Sequence, residues 1–115
     1  MIVDDNPIAL ESLADYFLRY DIGSDIIMGL DTATKAITTL EDPLQLFKFV
    51  LIDGLKGQFV QVVEAAKKSG IPLTAVVLYT SGLREYLGAA IELGIRAYDK
   101  RIMPADIPGL IKTTS

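Results

Sequence analysis

Two kinds of hydrophobic pattern alternate along the chain. Short continuous apolar runs are followed by longer stretches in which apolar residues recur every three or four positions. The clearest run is Lys48-Phe49-Val50-Leu51-Ile52-Asp53-Gly54. An uninterrupted run of this length, bounded by charge and glycine, predicts a strand covered on both faces, as in a parallel sheet. A second run, Leu73 to Tyr79, predicts another such strand and leads into Thr80-Ser81-Gly82. Shorter runs predict three more: Ile2-Val3 ending in Asp4-Asp5, Asp25-Ile26-Ile27-Met28, and Ile95-Arg96-Ala97-Tyr98 leading to Asp99-Lys100.

Between the runs the period changes to that of a helix. Asn6-Pro7 supplies an N-cap and a proline at the first helical position. Leu10, Leu13, Ala14 and Phe17 follow, which predicts a helix over Pro7–Arg19. After a turn at Asp21–Ser24, Asp31 or Thr32 caps a second helix with Ala33, Ala36, Ile37 and Leu40 on its buried side, stopped by Glu41-Asp42-Pro43. Gly54-Leu55-Lys56-Gly57 reads as a loop. Phe59, Val62, Val63 and Ala66 form the stripe of a third helix, with Lys67 and Lys68 at its end and Ser69-Gly70 closing it. Leu83, Tyr86, Leu87, Ala90 and Ile91 are the expected buried face of a fourth helix, ended by Gly94. A last, weak helix is expected over Pro104–Ile111, with Pro108 and Gly109 acting against it.

Strand and helix thus alternate five times. Crossovers of this length impose parallel strands and right-handed connections. The expectation is an α/β fold: a three-layer, doubly wound (flavodoxin-like) arrangement of a five-stranded parallel sheet in the order 2-1-3-4-5. The 115 residues suffice for one domain, 1–115, with one core. Both ends read as short, since strand one has few residues and the chain stops before a fifth helix of ordinary length would end.

Composition narrows the chemistry. Half of the residues are hydrophobic and 23% are charged, an ordinary globular balance. The formal net charge of −4 gives no electrostatic case for nucleic acid binding by this segment. No run approaches the ~20 apolar residues of a membrane span. The acidic start, Met1-Ile2-Val3-Asp4-Asp5, is no signal peptide, and a cytoplasmic chain is expected. With neither cysteine nor histidine, any metal must be held by oxygen and any proton moved by carboxylate, Lys, Tyr or water.

In open parallel sheets, ligands bind beyond the carboxyl ends of the strands. Those ends offer Asp4 and Asp5 after strand one, Asp53 after strand three, Thr80 after strand four and Lys100 after strand five. Three neighbouring carboxylates are costly unless a cation shares them, and an all-oxygen donor set suits Mg²⁺. Blander readings stand beside this one. Asp4-Asp5 could be solvated residues at a helix entry, Asp53 a turn former, Thr80 an N-cap and Lys100 a surface charge.

Taken together, Ile-Val-Asp4-Asp5-Asn-Pro, Val-Leu-Ile-Asp53, Val-Leu-Tyr-Thr80-Ser and Ala-Tyr98-Asp-Lys100 resemble the receiver domain of bacterial two-component response regulators, over nearly the whole chain. The segment Lys100–Ile107 is most similar to receivers that carry a helix-turn-helix output domain. The resemblance implies a phosphoacceptor, not an enzyme in its own right. Asp53 would take a phosphoryl group from a sensor histidine kinase or phosphotransfer protein. Asp5, Asp53 and the Leu55 carbonyl would hold Mg²⁺, with Asp4 acting through water. Lys100 would pair with Asp53 and Thr80 would bond the phosphoryl group. Tyr98 would turn in behind Thr80. The switched surface would be the helix four, strand five, helix five face, which also suits a homodimer.

Some positions depart from that pattern. Gly57 stands where the family has a proline four residues after the aspartate. Counting from Tyr98 would put Arg101 in the lysine position; counting from Pro104 favours Lys100, which is taken here. A pseudo-receiver, acting by interaction alone, therefore remains the competing reading. A dehalogenase-type hydrolase is disfavoured, because Leu55 occupies the place of its second aspartate. Leu55 and Gly82, two residues past Asp53 and Thr80, cannot orient an attacking water, so slow self-dephosphorylation is expected.

Overall fold

A computed structural model describes residues 1–19, 26–27, 32–44, 47–102, 104–107 and 109. The turn at Asp21–Ser24, Asp25 and Met28 of the second strand, the cap at Asp31, and Pro108, Leu110 and Ile111 of the last helix lie outside them. The fold is α/β, with a parallel sheet and helices. Its strands are β1 (Ile2–Val3), β2 (Ile26–Ile27), β3 (Val50–Ile52), β4 (Val76–Thr80) and β5 (Arg96–Asp99). Its helices are α1 (Pro7–Arg19), α2 (Thr32–Leu40), α3 (Phe59–Lys68) and α4 (Leu83–Leu93). Hydrogen-bonded neighbours run β2-β1-β3-β4-β5, and each pair is parallel.

Successive strand residues point to opposite faces, and the core divides accordingly. Val3, Val50, Ile52, Val76 and Leu78 face one side, where they meet Ala33, Ala36 and Leu40 of α2, Phe59, Val62, Val63 and Ala66 of α3, and Ala90 of α4. Ile2, Leu51, Val77 and Tyr79 face the other side, against Leu13 and Phe17 of α1 and Ile107. Phe17 stacks on Phe49, just before β3, with ring centroids 4.7 Å apart. β1, β3 and β4 are buried throughout, whereas every residue of the edge strand β5 is half-buried.

Several expected boundaries move. Leu73–Ala75 form a 3₁₀ turn, so β4 begins at Val76 and carries Thr80 as its last residue. β5 likewise shifts one residue, to include Asp99. Pro104–Asp106 is a single 3₁₀ turn. Of the five residues expected on the buried side of α4, only Ala90 is buried, while Leu87 and Ile91 are 41% and 69% exposed. An i, i+4 apolar pair reads identically whether it meets a core or solvent. α4 stops at Gly94, whose φ of 76° is the left-handed C-cap that glycine adopts without strain.

Phe17→Ala is expected to cost about 3–5 kcal/mol in urea unfolding, as a stacked, fully enclosed ring is lost. Ile91→Ala should stay within about 0.5 kcal/mol. Equal losses would contradict this division of the α1 and α4 faces.

Candidate functional site

The parallel strands bring the expected residues to one rim. Asp4 follows β1 directly and is almost fully buried, whereas Asp5 beside it is exposed. Asp53 follows β3, and its N–H donates to the Val3 carbonyl at 2.8 Å, which extends the ladder to the carboxylate itself. Lys100 follows β5, and its N–H donates to the Thr80 carbonyl at 3.0 Å. The backbone thus sets the relative height of all three side chains.

Lys100 Nζ lies 2.8 Å from Asp4 Oδ2 and 3.0 Å from Asp53 Oδ1. One ammonium joins the ends of three strands. Arg101 points elsewhere: its side chain is 89% exposed and pairs with Asp99 at 3.2 Å. Of the two candidates, Lys100 is the one that reaches the carboxylates. The remaining oxygens of the two aspartates accept backbone N–H groups. Asp4 Oδ1 takes Asn6 at 2.9 Å, and Asp53 Oδ2 takes Leu55 at 3.3 Å.

Charge and burial oppose each other here. Burial lifts the Asp4 carboxyl above its ordinary 3.8, and the bonds from Lys100 and Asn6 only partly restore it. For Lys100, burial works downward, but the bonds to Asp4 and Asp53 outweigh it and hold the ammonium above 10.5. Asp4, Asp5 and Asp53 each offer an oxygen, and these three oxygens lie within 4.8 Å of one another. A hard divalent cation that keeps several waters fits such a set, because a few carboxylates suffice to hold it. Leu55, the backbone ligand expected for that ion, lies in the turn just after Asp53. Its backbone is left-handed (φ 49°), and its carbonyl accepts the Gln58 N–H at 3.1 Å, closing the turn upon itself. Its side chain is buried in the core on the α2–α4 side.

Thr80 is buried, and its Oγ1 accepts the Gly82 N–H at 3.1 Å, leaving the hydroxyl proton free to be donated. The expected partnership of Thr80 with Tyr98 does not hold. Thr80 continues the face of Val76 and Leu78, whereas Tyr98 pairs in register with Tyr79 and packs on the opposite core. A side chain on one sheet face cannot swing into space on the other. On Thr80's face, β5 offers only Ala97 and Asp99.

Two residues acquire positions that the sequence did not single out. Tyr79, fully inside the α1-side core, donates its hydroxyl to the Ile102 carbonyl at 2.7 Å and so pins the segment just past Lys100. Tyr86 of α4 lies over Gly54, next to Asp53, and meets Phe59 edge-on with centroids 5.4 Å apart. Desolvation, then the carboxylates of Glu85 and Asp53, hold its phenol above the usual 10.0. A glycine facing an aromatic six residues after Thr80 is a weak signal, visible only once β3 and β4 are placed side by side.

Among the described residues, no helix is long and apolar enough to cross a membrane. Neither a scan against protein-family models nor a search of curated proteins gives a match.

Lys100→Met is expected to lower unfolding stability by about 3 kcal/mol at pH 7, because Asp4 is left as an uncompensated buried charge. The folded state holds the Asp4 proton more tightly than the unfolded chain, so that loss should shrink as pH falls toward 3.8 and the carboxyl is neutralised. The folded state also retains the Lys100 proton above 10.5, so at the alkaline end the bridge's contribution persists up to that pH and disappears as pH rises through the folded value. Urea titrations of both proteins across this range check both arms.

Proposed function

We propose that the chain is a phosphoacceptor receiver domain of the two-component type, on a doubly wound, flavodoxin-like α/β fold. One observation carries the reading: an ammonium held between two aspartates at the carboxyl ends of parallel strands, with a third aspartate and a buried threonine at the same rim. A core residue has no use for this grouping, whereas a phosphoryl acceptor needs each part.

Asp53 is the nucleophile. A carboxylate oxygen attacks the phosphorus of a phosphohistidine on a sensor kinase or phosphotransfer protein. A P–O bond forms and the P–N bond breaks. The imidazole nitrogen keeps the electron pair and takes up a proton from water. Lys100 already touches Asp53 and is placed to exchange part of that contact for a phosphoryl oxygen. Asp4 retains the other part and keeps the ammonium over the rim. Thr80 donates its free hydroxyl proton to a second phosphoryl oxygen. Asp5 and Asp53, with Asp4 behind them, would hold Mg²⁺, which when bound offsets repulsion between carboxylate and phosphoryl charge. The response spreads to α4 and β5. As in the helix-turn-helix subgroup that Lys100–Ile107 resembles, its output would be control of transcription in the cytoplasm.

A second reading, an interaction module that takes no phosphate, is favoured by the tight turn right after Asp53, where Leu55 and Lys56 are left-handed and the Leu55 carbonyl accepts the Gln58 N–H.

Incubation with acetyl phosphate and Mg²⁺ is expected to add one phosphoryl group to the intact mass, and Asp53→Asn should remove it. Lys100→Met should slow the labelling at least tenfold. An unlabelled wild-type protein, under conditions that label a control receiver, would favour the interaction module.

A further inference from the structure

The rim needs a path to the surface, and the aromatic of β5 cannot supply one, since Tyr98 lies on the wrong sheet face. We propose that Tyr86 is the latch of this domain: its ring, seated on Gly54 and Gly82, holds the first turn of α4 until Thr80 moves toward an occupied Asp53. This rests on the phosphoacceptor reading and extends it to the element that transmits the event.

The linkage is continuous. Thr80 Oγ1 accepts the Gly82 N–H at 3.1 Å. The Gly82 carbonyl accepts the N–H groups of Glu85 at 3.0 Å and Tyr86 at 3.2 Å, which form the first turn of α4. When Thr80 turns its oxygen to a ligand, Gly82 loses its partner, and the turn that carries Tyr86 loses its anchor. The ring itself is seated by the absence of side chains. A Cβ on Gly54 would lie 2.5 and 2.8 Å from Tyr86 ring carbons and 3.0 Å from Thr80 Oγ1. A Cβ on Gly82 would lie 3.2 Å from the same ring. Tyrosine ring and threonine hydroxyl thus share the space over Gly54, directly beside Asp53.

The rest of α4 offers little resistance to release. Ala90 is its only buried residue among those described, Ala89 and Leu93 are partly buried against the core, and Leu87 and Ile91 are exposed. Elements with few buried contacts open at low cost and are the ones that move in switches.

Gly54→Ala gives a clean test. Gly54 has ordinary right-handed dihedrals (φ −62°, ψ −28°), so alanine adds no backbone strain, and the added methyl meets the Tyr86 ring first and Thr80 Oγ1 next, at 3.0 Å; Tyr86→Leu disturbs the ring without adding that second contact. Hydrogen exchange is read at the Glu85 and Tyr86 amides, with Val62–Ala66 of α3 as the internal control. Without ligand, Gly54→Ala and Tyr86→Leu should each speed exchange at the α4 amides at least fivefold and leave α3 unchanged. No change in either variant overturns the latch. With Mg²⁺ and beryllofluoride, a phosphoryl mimic, the wild-type α4 amides should accelerate similarly, and Tyr86→Leu should show no further gain. If spectra register binding at Asp53 while α4 stays silent, the latch is wrong and the phosphoacceptor reading survives. If no binding registers, that reading fails and the switch falls with it, whatever the first arm shows of the packing.

Discussion

The Lys100 ammonium sits where β1, β3 and β5 end, and it answers a difficulty that the sheet creates. Parallel strands deliver every carboxyl-terminal residue to the same edge, so Asp4 and Asp53 are brought together whether or not their charges agree. Burial already penalises the Asp4 carboxylate. A neighbouring Asp53 without compensation would add repulsion at short range. Lys100 contacts both, at 2.8 and 3.0 Å, and is itself fixed by its N–H on Thr80 and by Tyr79 holding Ile102. The bridge sets one cation between two carboxylates at a half-buried rim. An anion arriving there would compete with the aspartates for that shared cation.

The same edge stores strain. Leu55 and Lys56 both have positive φ, at 49° and 56°, followed by Gly57 at 93°. Two non-glycine residues in succession adopt a conformation that costs each about 1 kcal/mol or more. The surroundings compensate. The Leu55 side chain is buried in the core, its N–H bonds Asp53, and the Gly54 carbonyl accepts the Gly57 N–H at 2.9 Å. The turn aims the carboxylate as a consequence of its own geometry.

Where the sequence could be read, it was read from side chains whose environment is symmetrical. The β3 run, the α3 stripe and the α1 pair Leu13 and Phe17 are surrounded on all sides, so hydrophobicity alone locates them. The carboxyl-end residues were legible for the same reason: polar groups after buried runs mark where strands stop. The rest depended on facts that period does not encode. Thr80 is correctly placed at the end of β4 and Tyr98 falls within β5, but their faces follow from register, and one residue of shift reverses a face. Leu55 was legible as a loop residue, not as a left-handed one, because nothing in its identity requests φ > 0. The apolar residues of α4 promised a buried face that only Ala90 provides, since amphipathic spacing does not say what lies opposite.

The contrast between α3 and α4 then acquires meaning. α3 buries Phe59, Val62, Val63, Ala65 and Ala66 within two and a half turns, and Ser69 at its end donates to the Leu40 carbonyl of α2 at 2.6 Å. That helix is tied at several points, and no single contact governs it. α4 is held near the rim by one aromatic ring on two glycines, and farther along by Ala90, with Ala89 and Leu93 partly buried against the same core. A helix fastened at few points can be released by one event, whereas a helix fastened at many cannot. Because its first turn hangs from Gly82, and Gly82 from the Thr80 hydroxyl, the less deeply buried of these two helices is tied through Thr80 to the acidic rim.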